Sequence, residues 1–198
     1  MGSTALDQLL DRLIADYVSR NSAVRILQGR LEDAGVGFTP VIDHVTIRTL
    51  DIDRRGQEFL ALGYAYAETL SYEDWFAKVY RSAGYPALFI DQGYPDRRGE
   101  SSIIPAWVKQ FGDQTLHHIA VRVEDIEQAI ERLRTAGVAF TGQIVGVRGG
   151  LLRQIFTAPE RVDGQSFSVL ELTERHQGFQ GFSPPQADGL MKSTILTN

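Results

Sequence analysis

The sequence predicts an α+β fold in which two βαβββ modules close one mixed, barrel-like sheet around a shared cavity, behind a pair of N-terminal helices. Three observations carry this. Two stretches near the start space their apolar residues three and four apart, as helices require. After Pro40 the apolar period falls to two, the alternation of a strand. Finally the chain repeats itself: slid along itself until His44 lies over His118, it also places Arg48 over Arg122, Asp51 over Asp125, Ile52 over Ile126 and Gly63 over Gly137. A unit that occurs only twice fits internal duplication within one domain rather than a long solenoid.

The first helix covers 5–19, where Leu6, Leu9, Leu10, Leu13, Ile14, Tyr17 and Val18 recur at helical spacing and Ser3 or Thr4 can cap the start. The second holds Val24, Ile26, Leu27 and Leu31, begins after Asn21 or Ser22, and stops at Gly35. Residues 41–49 read as a strand. Asp51-Ile52 opens an amphipathic helix that ends at Gly63, and strands follow over 64–69, 77–81 and 87–91. The second copy repeats the pattern: a strand from His117, a helix from Asp125-Ile126 to Gly137, then strands over 138–144, 151–157 and 166–173. The turn-rich stretches Gly93-Tyr94-Pro95-Asp96 and 146–150 separate them. The expected organisation is a single domain over 1–198. It comprises helices (1–38), a first module (39–92), a linker with a helical turn around Trp107 (93–114), a second module (115–174) and a covering segment (175–198).

A chain of 198 residues, 43% hydrophobic, can bury a core around a small-molecule pocket. Twenty Lys and Arg against twenty-five Asp and Glu argue against nucleic acid as a partner, because phosphate binding needs a basic excess. No apolar run approaches the ~18 residues of a spanning helix, and the N-terminus lacks the basic-then-apolar signal-peptide pattern. The expectation is a cytoplasmic protein with no membrane partner. Without cysteine, any metal must sit on imidazole and carboxylate, and there are four histidines to choose from.

Strand alternation selects among them. His44, Thr46 and Arg48 share one face, and the repeat gives His118, Ala120 and Arg122 the equivalent face, which prefers His118 to His117. In the last strand Phe167, Val169, Glu171 and Thr173 alternate with Leu170 and Leu172. The leucines suit a helix-packed exterior, leaving Glu171 in the cavity. A lone strand histidine is usually a satisfied core residue. Two at repeat-equivalent positions, with an acid in an otherwise apolar strand, make the 2-His-1-carboxylate set that leaves coordination positions of Fe(II) open. Gln154 shares a face with Phe156 and can bond substrate or bound oxygen, or serve as a core amide. Arg153 should face away, unless the Gly149-Gly150 bend turns it inward as a substrate-binding candidate.

Asp43-His44-Val45-Thr46-Ile47-Arg48-Thr49, His118-Ile119-Ala120-Val121-Arg122-Val123, Gly150-Leu151-Leu152-Arg153-Gln154 and Leu170-Glu171 resemble the vicinal oxygen chelate superfamily. The leading helices, the Asp-His-x-x-x-Arg-Thr stretch, and the closing Gln180-Gly181-Phe182 with Gln186-Ala187-Asp188-Gly189-Leu190 look more closely like the 2-oxoadipate dioxygenase/decarboxylase family. That family is related to 4-hydroxyphenylpyruvate dioxygenase, which 151–157 also resembles. The likeness runs from about Leu9 to Thr194.

The resemblance implies a non-haem Fe(II) enzyme with ligands at His44, His118 and Glu171. It would convert a 2-oxo acid and O2, with loss of CO2, to a hydroxylated acid one carbon shorter. It also implies that Arg48 grips a substrate carboxylate. Cα atoms four apart on a strand are separated by roughly 13 Å, so the guanidinium can hold the far end of a dicarboxylic substrate. For Arg122 a structural ion pair is an equal expectation. Phe179 and Phe182 are expected to close the cavity mouth, Phe182 touching substrate, with a short helix over 187–194. Two rival readings keep the fold and metal: a glyoxalase- or epimerase-like isomerase, or a ring-cleaving dioxygenase. A third is a metal-free ligand-binding module. The expected assembly is a monomer or homodimer.

Overall fold

The computed structural model describes residues 4–193. Helices α1 (Ala5–Arg20) and α2 (Ser22–Asp33) precede β1 (Ile42–Arg48), α3 (Ile52–Ala61), β2 (Ala65–Ser71), β3 (Trp75–Arg81) and β4 (Ala87–Gly93). Then come α4 (Ile104–Phe111), β5 (Leu116–Val123), α5 (Ile126–Thr135), β6 (Leu152–Phe156), β7 (Arg161–Val162), β8 (Gln165–Ser166), β9 (Val169–Arg175) and α6 (Pro184–Ser193). This is the α+β class with N-terminal helices that the periodicities predict.

Helix starts follow the caps. Thr4 Oγ1 accepts from Asp7 N at 3.1 Å while Asp7 Oδ2 accepts from Thr4 N at 2.7 Å, a reciprocal capping pair that opens α1. The other expected cap, Ser3, lies outside the described residues. Asn21 caps α2, and the repeat-equivalent Asp51 and Asp125 cap α3 and α5 through Arg54 N and Gln128 N. Both of these helices are followed by a glycine at positive φ, Gly63 at 101° and Gly137 at 93°, a conformation an L side chain resists. The duplication is therefore visible at both ends of the crossover helices.

The chain divides into two compact units. The first comprises the residues up to Tyr17 together with His44–His117, the second Val18–Asp43 with the residues from His118 on. In the first, strands run in the order β2-β3-β4-β1, with β1 parallel to β4 and the other pairs antiparallel. Val45, Ile47, Leu88 and Ile90 are buried on one face of β1 and β4, and α3 adds Ile52 and Phe59 to the core. In the second, the order is β5-β9-β6, with β5 parallel and β6 antiparallel to β9. Ile119, Val121, Leu170 and Leu172 occupy one face, and α5 contributes buried Ile126, Ile130 and Leu133.

Two expected strands change. Residues 138–144 form no strand. Only the isolated bridges Phe140–Thr157 and Val145–Gln154 remain, because Gly142 and Gly146 take positive φ and turn the backbone out of extended pairing. The last strand begins at Val169 rather than at Ser166, since Gln165 and Ser166 pair with β7 across the turn Asp163-Gly164. Both turn residues have positive φ, the geometry of the tight hairpin that Asp-Gly favours. The C-terminal helix starts at Pro184 rather than Ala187, and the end expected at Thr194 lies outside the described residues. Among the described residues no helix is long and apolar enough to cross a membrane.

Candidate metal centre

In the second unit the middle strand, β9, carries the acid. Glu171 stands in register with Ala120 of β5 and Phe156 of β6, and Thr173 with Gln154. Alternation thus gathers His118, Glu171, Thr173, Gln154 and Phe156 on one face. Glu171 is only 1% exposed. Its Oε1 accepts from Gln154 Nε2 and from Thr173 Oγ1, both at 2.6 Å, and its Oε2 lies 3.4 Å from His118 Nε2. The two bonds on Oε1 fix the carboxylate plane and offset the cost of burying it. The His118 ring packs against Phe156, centroids 5.2 Å apart.

The opposite face is occupied differently. Arg153, considered above for substrate, is committed there: Nη2 and Nη1 donate to Glu127 at 2.5 and 2.9 Å, and Nη1 reaches Glu174 at 3.3 Å. The bend at Gly149-Gly150 leaves it on the face that alternation dictates. Arg153 holds Glu127 down at about 2. Burial pushes Glu174 up, but bonds from Ile126 N, His176 and Arg153 outweigh it and keep the group low. Asp43, which also belongs to this unit, is clamped by Arg122 at 2.9 Å and by Arg175 through Nε at 2.8 Å and Nη2 at 2.9 Å. Arg122 therefore makes the structural ion pair that was one of its two expected roles. Arg175 also donates to Gly181 O at 2.7 Å and lies 4.6 Å from the Phe182 ring, so Phe182 packs on an arginine.

In the first unit the face opposite Val45 and Ile47 carries His44, Thr46 and Arg48, in register with Ala87, Phe89 and Asp91 of β4. His44 is buried, its ring 5.0 Å from Phe89. Arg48 is 1% exposed and sits 5.2 Å above the Trp107 ring of α4. Burial lowers Arg48 to about 10 although Asp91 works to raise it. Burial raises Asp91 to about 7, against the opposing fields of Arg48 and His44. Asp91 escaped the sequence reading because an acid late in an apolar strand looks like the approach to a turn. Its register with Arg48 appears only once β1 and β4 are paired. His117 lies edge-on to Trp107 at 5.7 Å, the alternation that separated it from His118.

His44 and His118 each offer an imidazole nitrogen and Glu171 a carboxylate oxygen, and all three residues are buried. Two imidazoles and one carboxylate suit a divalent first-row metal.

A βα module used twice, with His44 and His118 at the equivalent strand position and the acid on β9, fits a metal-chelating α+β class. The chain belongs to the Glyoxalase/Bleomycin resistance protein/Dioxygenase superfamily, whose model matches residues 43–153. No curated protein matches the sequence. Among solved structures it is similar to a protein of Shewanella frigidimarina NCIMB 400 described as a hydrolase, with TM-score 0.77 and 19% identity over 93% of this chain and 100% of that one. It is also similar to the hydroxyglutarate synthase of Oryza sativa, solved in complex with 2-oxoadipate, with TM-score 0.74 and 16% identity over 94% and 91% of the two chains. Methylmalonyl-CoA epimerase from Mycobacterium tuberculosis follows with TM-score 0.54 and 21% identity over 69% and 89%. At these identities the likeness is one of fold.

Proposed function

We propose that the protein is an Fe(II)-dependent dioxygenase that decarboxylates a 2-oxo acid of the 2-oxoadipate kind to a hydroxylated acid one carbon shorter, with His44, His118 and Glu171 as ligands. The observation that carries this reading is the pinned carboxylate. Glu171 has one oxygen saturated by Gln154 and Thr173 and the other turned to an imidazole nitrogen, the arrangement of a ligand held ready for a cation. His44 joins the set through the repeat, being to β1 what His118 is to β5. The chain passes from one unit to the other inside each of these strands, between Asp43 and His44 and between His117 and His118.

Bound there, Fe(II) supplies Lewis acidity toward the 2-oxo acid and electrons toward O2. The protein supplies the rest. Gln154 and Thr173 orient the acidic ligand. Arg48, pressed against Trp107, offers a forked donor to the far polar end of the substrate. The substrate class is supported by the shared fold of the rice enzyme solved with 2-oxoadipate. An acidic chain with no basic excess suits a free small molecule in the cytoplasm rather than a nucleic acid.

The superfamily's own description, which joins glyoxalases to dioxygenases, favours one other reading, a metal-dependent isomerase on the same ligands. Anaerobic loading with Fe(II), followed by a screen of 2-oxo acids for O2 uptake and CO2 release, decides between them. Coupled uptake and release supports the dioxygenase. Substrate rearrangement without O2 uptake supports the isomerase.

A further inference from the structure

The reaction proposed above assigns no task to Asp91, yet the burial of this acid calls for a reason. It is 2% exposed and stands in register with Arg48, on the strand face shared by His44, Thr46 and Phe89. Its Oδ1 is buried and accepts no hydrogen bond. Compensating the charge of Arg48 would account for an acid here, but not for a bare oxygen. A buried acceptor without a donor is costly, and such a group persists where a ligand provides what the fold does not.

The chemistry of the two side chains narrows the ligand. A guanidinium only donates, and an ionised carboxylate only accepts. Placed side by side they suit a planar group that presents one acceptor and one donor on the same carbon. A carboxylate anion satisfies Arg48 but brings a like charge to Asp91 and leaves Oδ1 bare. We propose that Arg48 and Asp91 together read the far end of the substrate as an uncharged carboxyl or primary carboxamide, its carbonyl oxygen accepting from Arg48 and its O–H or N–H donating to Asp91. This rests on the reading of the site as that of a 2-oxo acid enzyme and specifies which 2-oxo acids enter it.

The test is calorimetric titration of the anaerobic Fe(II)-loaded protein at pH 8 with a straight-chain 2-oxo dicarboxylic acid and with its ω-monoamide. The wild type is expected to bind the amide at least about tenfold more tightly, because a site built around a buried acceptor discriminates against ligands that leave it unpaired. Asp91→Asn, which removes the charge and adds a donor at nearly constant shape, is expected to reverse the preference. Asp91→Ala serves as a second variant and is expected to abolish it. Diacid binding as tight as amide binding in the wild type, or equal weakening of both ligands in Asp91→Asn, overturns the inference while leaving the 2-oxo acid reading intact. Binding of neither ligand by iron-loaded protein overturns both.

Discussion

Gln154 donates from Nε2 to Oε1 of Glu171 at 2.6 Å, and this bond, shared with Thr173, leaves Oε2 as the oxygen that meets His118. Gln154, expected from the sequence to bond substrate or to be a satisfied core amide, here donates to the buried carboxylate of Glu171, the acid of the proposed metal site. Gln154→Leu is therefore expected to keep the fold but to lower metal affinity roughly ten- to a hundredfold, the usual effect of removing a group that orients a ligand. Titration of the metal-free protein with Fe(II) or Co(II) measures it. Unchanged affinity would mean that Thr173 orients the carboxylate alone.

His44→Ala, His118→Ala and Glu171→Ala are each expected to abolish metal retention through desalting, since two remaining ligands compete poorly with water. His117→Ala should retain the metal, because alternation turns its ring to the other strand face, where it lies against Trp107. Metal analysis of the four variants checks this. A dispensable His118 together with an essential His117 would shift the register of β5 by one residue and overturn the assignment.

What the sequence makes legible follows from period and repetition. The crossover helices were readable because Asp51 and Asp125, then Gly63 and Gly137, punctuate them identically. The face of His118 was readable because alternation admits only two choices and the repeat with His44 selects one of them. Residues 138–144 misled because the apolar run Val138-Ala139-Phe140, with Ile144 beyond it, suggests a strand, while the decisive feature is the backbone of Gly142 and Gly146. Asp91 and the role of Gln154 were hidden for a different reason. Both depend on which strands lie side by side, Arg48 against Asp91 and Gln154 against Thr173, and pairing partners far apart in the chain leave no local signature.

Arg48→Lys is expected to retain the metal and to weaken binding of a 2-oxo acid with a polar far end by roughly ten- to a hundredfold, the loss of one charge-assisted hydrogen bond. An ammonium cannot reproduce the forked contact or the stacking on Trp107. A 2-oxo acid of the same length ending in a methyl group should lose little. Equal losses on the two ligands, measured by titration, would show that Arg48 does not read the far end.

Arg153→Met should lower stability by about 1 kcal/mol, because it removes one of three partners of the buried Glu174, which keeps Ile126 N and His176, and frees Glu127. The loss should depend on acid. Glu127 is depressed from the usual 4.5 to about 2 in the folded protein by Arg153. Its contribution is thus complete above pH 4.5 and disappears as the pH falls toward 2. Denaturant unfolding of the two proteins should give a constant gap near neutrality that narrows below pH 4.5. A gap that stays constant down to pH 3 would place the effect in packing rather than in charge.

The C-terminal segment makes the last prediction. Leu190 of α6 is buried against Phe156 and Val169, with Val145 beside them, and Phe156 in turn packs on the His118 ring. The segment thus covers the face of the second unit that carries Glu171. Its path there is held by Arg175, which binds Gly181 O and stacks over Phe182 while also clamping Asp43, the residue before His44. Removing the residues from Gly178 onward should expose Phe156 and admit water to that face without touching any of the three ligands. Metal is expected to stay bound. O2 consumption should become uncoupled from product formation, since excluding water and quenching agents is what protects an oxidising site. Leu190→Ala should act in the same direction more mildly, at a stability cost of roughly 2 kcal/mol for a buried leucine. The measurement is the ratio of O2 consumed to CO2 released and hydroxy acid formed. A folded, truncated protein that keeps this ratio at the wild-type value would reduce the segment to packing on the sheet.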